Sequence, residues 1–111
     1  MLLYFEEAAD NCVKYWYSEE NIYSYKNPES PSNIKYASHF TQLVWNDSYA
    51  LGGGITYYQY YEDVIFHCVA LYYPEGNLYG NYSDNVFCKR TEPNCKKNSV
   101  NYDQENVVRK F

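Results

Sequence analysis

Apolar side chains recur at spacings of three and four near the start of the chain. Phe5, Ala8, Ala9, Cys12, Val13, Trp16 and Tyr17 form one stripe, and Glu6, Asp10, Asn11 and Lys14 take the opposite face. This spacing predicts an amphipathic helix over residues 4–19. Glu19 and Glu20 then fall where the helix dipole is negative and lysine or arginine would be favoured, so the stability of that helix does not select them. Residues 21–37 read as a loop: Pro28 and Pro31 frame Glu29 and Ser30, and Asn27, Ser32 and Asn33 supply turn chemistry. Ser38 is placed to cap a second, short helix in which Phe40, Leu43, Val44 and Trp45 face inward and His39 lies in the first turn. The period then changes. Gly52, Gly53 and Gly54 precede an extended run from Ile55 to Tyr58, and residues 60–63 make a turn. Val64 to Tyr73 is apolar on both faces, with Val64, Phe66, Cys68 and Ala70 on one and Ile65, Val69 and Leu71 on the other. Apolarity on both sides predicts a central strand covered by other layers. Helices come first and a hairpin follows, so the predicted class is α+β.

Composition changes this picture in two ways. Tyrosine supplies 16 of the 111 residues, so a core built from this chain sets many phenolic hydroxyls at its edge or against a partner. Charge divides the chain: residues 1–87 hold 11 acids and 3 bases (net −8), whereas residues 88–111 hold 3 acids and 6 bases (net +3). The second segment reads as a loosely packed basic tail, a solvated terminus first and a weak contact with an anionic membrane surface or the acidic body as the alternative. A total of −5 argues against nucleic-acid binding by bulk electrostatics. No apolar run approaches the ~20 residues of a membrane helix. The opening Met1 to Phe5 has neither the basic flank nor the length of a signal peptide. The glycine triplet lacks the lysine and hydroxyl residue of a phosphate loop.

Four short motifs then carry a resemblance. Ser38-His39-Phe40-Thr41-Gln42-Leu43-Val44-Trp45 resembles the first signature of the CAP superfamily of cysteine-rich secretory proteins, antigen 5 and pathogenesis-related class 1 proteins, with Ser38 where glycine is usual. Tyr72-Tyr73-Pro74-Glu75-Gly76-Asn77 matches its second signature, Trp16-Tyr17-Ser18-Glu19 its tryptophan–tyrosine–any–glutamate motif, and Asp84-Asn85-Val86 its closing segment. The motifs occur in the family's order, which implies the C-terminal two-thirds of an α-β-α sandwich in residues 1–87, followed by the tail at 88–111. The family's usual bridge is missing at both ends, since Gly53 and Ala70 stand at its positions; members resembling the Golgi-associated branch also lack it. Cys12 and Cys68 therefore read as small buried hydrophobes, while Cys88 and Cys95 are close enough to bond in an oxidising compartment. Asn46-Asp47-Ser48 and Asn81-Tyr82-Ser83 are glycosylation acceptor triplets.

The resemblance implies a cleft with two histidines and two glutamates. His39 and Glu19 match one of each, and the other pair belongs upstream of Met1, so a divalent cation (zinc or magnesium) is expected of the intact domain and none is required here. His67 alternates with Ile65, Val69 and Leu71 and reads as a core or edge residue. Ile22 to Pro28 resembles the aromatic loop of sterol-exporting members, which makes Tyr23, Tyr25 and Tyr36 candidate lipid-binding residues. The expected function is non-enzymatic binding of a sterol or other lipid. A secreted defence- or antigen-type interaction protein without a small ligand, or a fragment that binds nothing, is the alternative. Catalysis is not expected, because Ser38 is adjacent to His39 on a helical turn and the two point apart. Localisation is expected to be extracellular for a full-length parent, with cytoplasmic or Golgi-associated as the alternative. Oligomeric state stays open.

Overall fold

A computed structural model describes residues 2–88. The order is α1 (Leu2–Ser18), a 3-10 turn (Glu19–Ile22), α2 (Pro31–Tyr36), α3 (Ser38–Val44), β1 (Ala50–Tyr60), β2 (Asp63–Tyr73) and α4 (Tyr82–Asn85). The α+β class and the expected helix, short helix and antiparallel hairpin are therefore present. The basic tail lies outside the described residues.

The core gathers on α3. Phe40, Leu43, Val44 and Trp45 are buried with Tyr23, Ala37, Tyr82 and Val86, and the α1 stripe packs Val13, Trp16 and Tyr17 onto them. The predicted stripe thus faces the core, with α1 ending one residue before the predicted limit and Glu19 opening the 3-10 turn. Residues 21–37 are not all loop. Pro31 opens α2, where its fixed φ suits the first turn, and the Ser30 hydroxyl accepts from the Asn33 amide at 3.1 Å. Ser38 does not cap α3 with its side chain: it is already the first helical residue, and the cap position belongs to Ala37.

The two strands pair antiparallel over their full length, from Ala50 opposite Tyr73 to Tyr60 opposite Asp63. The glycine triplet lies inside β1 rather than before it. Tyr61 turns the hairpin with φ 55°, the positive φ that the first central position of a two-residue turn can demand. Directly opposed residues share a face. Leu51, Gly53, Ile55 and Tyr57 therefore look the same way as Tyr72, Ala70, Cys68 and Phe66. At the outer end Phe5 of α1 sets its ring edge-on to Tyr57 and Phe66.

The other face corrects the expectation of a central strand. Val69 is 61% exposed and Leu71 72%, and the sheet has two strands only among the described residues. A strand apolar on both sides needs two covering layers, and α1 supplies one. His67 is exposed on this outer face, stacked on Tyr58 at 5.3 Å, rather than packed in a core.

Cys12 and Cys68 are not separate thiols; they form a disulfide that joins α1 to β2 across 56 residues of sequence. Each cysteine sat on an apolar face, which reads the same for a buried thiol and for a bridge. Closing a loop of this length removes about 4 kcal/mol of denatured-state entropy in the chain-entropy model. Cys88 is also disulfide-bonded, and the Cys95 half of the expected pair lies outside the described residues.

Candidate functional site

Two helix ends meet at His39. α1 runs into the 3-10 turn and delivers Glu19 to the start of α3. Glu19 Oε1 accepts from the amides of His39 (2.9 Å) and Phe40 (3.1 Å), and its Oε2 lies 2.8 Å from His39 Nδ1. A carboxylate can only accept here, so Nδ1 carries a proton toward Glu19. Trp16 stacks on the imidazole with centroids 5.8 Å apart and planes 9° from parallel. Glu19 has 14% of its side chain exposed and His39 59%, so the ring is held on two sides and open on the rest.

The structure brings Glu19 and His39, both named from the motifs, into contact. Both Glu19 oxygens are engaged, one by two amides and the other by the imidazole. Among the described residues no three histidine, cysteine or acidic side chains converge. A zinc site normally takes three or four protein ligands.

The signature residues knit the helices to the end of the hairpin. Gln42 accepts from the Gly76 amide (2.8 Å) and donates to the Ser48 hydroxyl (3.1 Å), which donates to the Pro74 carbonyl (2.7 Å). Thr41 donates to Asn77 Oδ1 (2.6 Å), and Asn77 Nδ2 donates to the Ser38 carbonyl (2.9 Å). Gly76 must be glycine on steric grounds: a Cβ would stand 2.6 Å from Gln42 Nε2 and 2.8 Å from Trp45 Cγ. Trp45 meets Tyr82 edge-on at 5.1 Å, and Asn85 Oδ1 accepts from the Asp47 amide at 2.9 Å. The polar signature groups thus bond to one another and to backbone. Ser48 and Asn85 carry as much of this network as Thr41, Gln42 and Asn77 do.

The three candidate lipid tyrosines are not one surface. Tyr23 is buried in the core, edge-on to Tyr25 at 4.8 Å and tilted against Phe40. Tyr25 is half-buried and donates to Glu20 Oε2 at 3.2 Å; burial, followed by the Glu20 charge, pushes its phenol up. Tyr36 is exposed beside Lys35, whose ammonium lies 5.2 Å from its ring centre. Tyr72 is also pushed up, by burial.

The concave apolar space lies elsewhere. A cavity of about 360 Å³ opens between α1 and the inner face of the hairpin. Ala9, Cys12, Val13 and Trp16 line it from the helix, and Leu51 and Ile55 from β1. Its floor includes Gly53 and Ala70, which face each other in register. These are the positions where the resemblance places the family's bridge, and their small size leaves room. The signal was present in the sequence as two missing cysteines.

Comparison with known proteins decides the family. The family model for CAP, the cysteine-rich secretory protein family, matches residues 3–72. The chain belongs to the CAP family. It is 29% identical over 101 residues to human cysteine-rich secretory protein 3, covering 84% of this chain and 40% of that protein. A salivary antigen-5 of Dipetalogaster maximus is 30% identical over 100 residues, covering 87% of this chain and 39% of that protein. A Candida albicans protein with the pathogenesis-related name is 33% identical over 86 residues, 77% of this chain and 40% of its own length. The chain spans about 40% of the length of these CAP relatives. No solved structure matches it.

Proposed function

We propose that this CAP chain is the lipid-binding portion of a non-enzymatic protein exported to an oxidising compartment. The observation that carries the reading is the apolar cavity between α1 and the hairpin, whose volume of about 360 Å³ is within the range of small-molecule sites. Its wall of Val13, Trp16, Leu51 and Ile55 suits a sterol ring system or an acyl chain, and it offers little to a polar substrate. The resemblance to the Golgi-associated and fungal sterol-binding branch points the same way. Tyr23 is buried and Tyr25 and Tyr36 lie outside the walls of the cavity, which supports assigning the ligand to the cavity rather than to the aromatic loop. Catalysis has no support in the signatures, because Thr41, Gln42 and Asn77 spend their polar groups on structure. Export is supported by the disulfides at Cys12–Cys68 and Cys88 and by the secretory names of the relatives.

The test is titration of a fluorescent sterol, and separately of a fluorescent sixteen-carbon fatty acid, onto the oxidised protein. Ala70→Leu, which fills the space above Gly53, is expected to weaken binding at least tenfold, and Tyr36→Ala is expected to leave it unchanged. Absence of saturable binding by either probe, or full affinity in Ala70→Leu, overturns the reading. The alternative, a protein-interaction module, draws on the exposed Val69, Leu71 and Tyr73 face and is favoured if neither probe binds.

A further inference from the structure

We infer that the Cys12–Cys68 disulfide is a redox latch on the α1–hairpin cavity; its effect on ligand rests on the lipid-binding reading above. The bond lies between two concavities. On one side it is part of the cavity wall, next to Val13 and Ile55. On the other it is reached from an open depression lined by Ala8, Asn11, Tyr15, Phe66 and His67. Both cysteines are only half-buried, so a reductant approaches from the depression while a ligand occupies the cavity.

The position of the bond makes it a latch rather than a general staple. The core sits on α3, and the signature network ties the hairpin to the helices at its Tyr73 end through Pro74 and Gly76. At the far end Phe5 packs on Tyr57 and Phe66. Between these ends the cavity separates α1 from the strands, and the disulfide is the covalent link across that gap. A bridge at positions 53 and 70 would have linked the strands to each other and left α1 free. Here the small residues open the space and the bridge spans it.

The chemistry is thiol–disulfide exchange with a dithiol reductant of the thioredoxin class. One reductant thiolate attacks a bridge sulfur and forms a mixed disulfide, releasing the other bridge sulfur as a thiolate that takes up a proton. The second reductant thiol then resolves the mixed disulfide. Cys12 and Cys68 end as two thiols, and the reductant, having given two electrons, ends as its own disulfide. Once the bond is open, α1 and β2 separate across the cavity and the apolar wall parts.

The experiment compares oxidised and dithiothreitol-reduced protein in two readouts, affinity for the fluorescent sterol and fatty acid, and amide hydrogen exchange without ligand. Reduction is expected to weaken probe binding at least tenfold and to speed exchange in residues 9–16 and 66–72 while α3 stays protected. Cys12→Ser/Cys68→Ser is expected to match the reduced protein with or without dithiothreitol, which separates this bond from the one at Cys88. If that variant does not fold, Cys88→Ser/Cys95→Ser serves in its place, since dithiothreitol then has the Cys12–Cys68 bond to open. Unchanged exchange on reduction, or loss of protection throughout α3 as well, overturns the latch. Equal probe affinity in both redox states overturns it and leaves the lipid reading standing. Local exchange changes with no probe bound to the oxidised protein leave the latch standing and overturn the lipid reading.

Discussion

Glu19 holds the first turn of α3 and the imidazole of His39 with the two oxygens of one carboxylate. The residue that is misplaced at the end of α1 is correctly placed at the start of another helix, where negative charge and accepting oxygens are both favoured. Trp16, one turn earlier on α1, covers the imidazole face, so the tryptophan–glutamate spacing of the motif is the spacing of a clamp.

Loss of that clamp is measurable. Glu19→Ala is expected to cost about 1–2 kcal/mol, the range for an N-cap removed from a largely buried position. For a domain of this size that lowers the midpoint of thermal unfolding by roughly 4–16 °C. Glu19→Gln keeps an accepting oxygen for the two amides and is expected to fall between. Glu7→Ala, at an exposed position of α1, is expected to stay within about 0.5 kcal/mol of wild type. Urea unfolding followed by Trp fluorescence checks all three.

Asn33 is the second position where a single side chain decides local structure. Its Oδ1 accepts from the Ser24 amide at 2.9 Å, and its Nδ2 reaches the carbonyls of Ser24, Asn27 and Pro28 at 2.9, 3.0 and 3.2 Å. It is 1% exposed, so water does not replace those partners when they are removed. Asn33→Leu is expected to cost about 1–3 kcal/mol for each buried group left unsatisfied, reduced where the loop relaxes. Asn33→Asp is expected to be worse, since it sets a carboxylate against the same carbonyls. Faster amide exchange at Ser24 and a lower unfolding midpoint are the readouts, and unchanged values in both variants contradict this account.

The raised phenols set the alkaline limit. Tyr25, Tyr72 and Tyr82 all hold their protons above the usual tyrosine value of about 10, chiefly through burial. Above that value the unfolded chain has lost protons that the folded chain keeps, so the unfolded state binds fewer and stability falls as pH rises. The contribution is complete below about pH 10 and is lost as pH climbs toward the folded values. Urea midpoints measured from pH 8 to 11.5 are expected to be flat first and then to decline. Tyr25→Phe, which removes the phenol beside Glu20, is expected to make that decline shallower, and a stopped-flow absorbance titration at 295 nm should show late-ionising tyrosines in the folded protein. A decline that begins well below pH 10 would point to other groups.

Much of the fold was legible because local pattern and tertiary role agreed. The stripe from Phe5 to Tyr17 has one period and faces the core, and the apolar residues 40, 43, 44 and 45 are buried as a group. The pairing of Glu19 with His39 was legible through the motifs. What was not legible depends on distance in the chain or on competing local signals. Pro31 reads as a breaker and is also a preferred first residue of a helix; the Ser30 hydroxyl and the buried Asn33 decide between them. Tyr23 lies in a tyrosine-rich loop, and only the tertiary approach of Phe40 reveals it as core. The Cys12–Cys68 bond joins residues whose local contexts each suit a plain apolar cysteine. Val69 and Leu71 signal a second covering layer, and the described residues place α1 on the other face.

The bond between Cys12 and Cys68 has one more consequence, which concerns cutting the chain rather than folding it. Glu19, His39, Gln42, Trp45 and the whole of β1 lie within a covalent ring. A protease that cleaves once anywhere between residues 13 and 67 leaves one molecule, with both pieces still joined. A nicked chain therefore keeps its mass until it meets a reductant, and only then comes apart into two peptides.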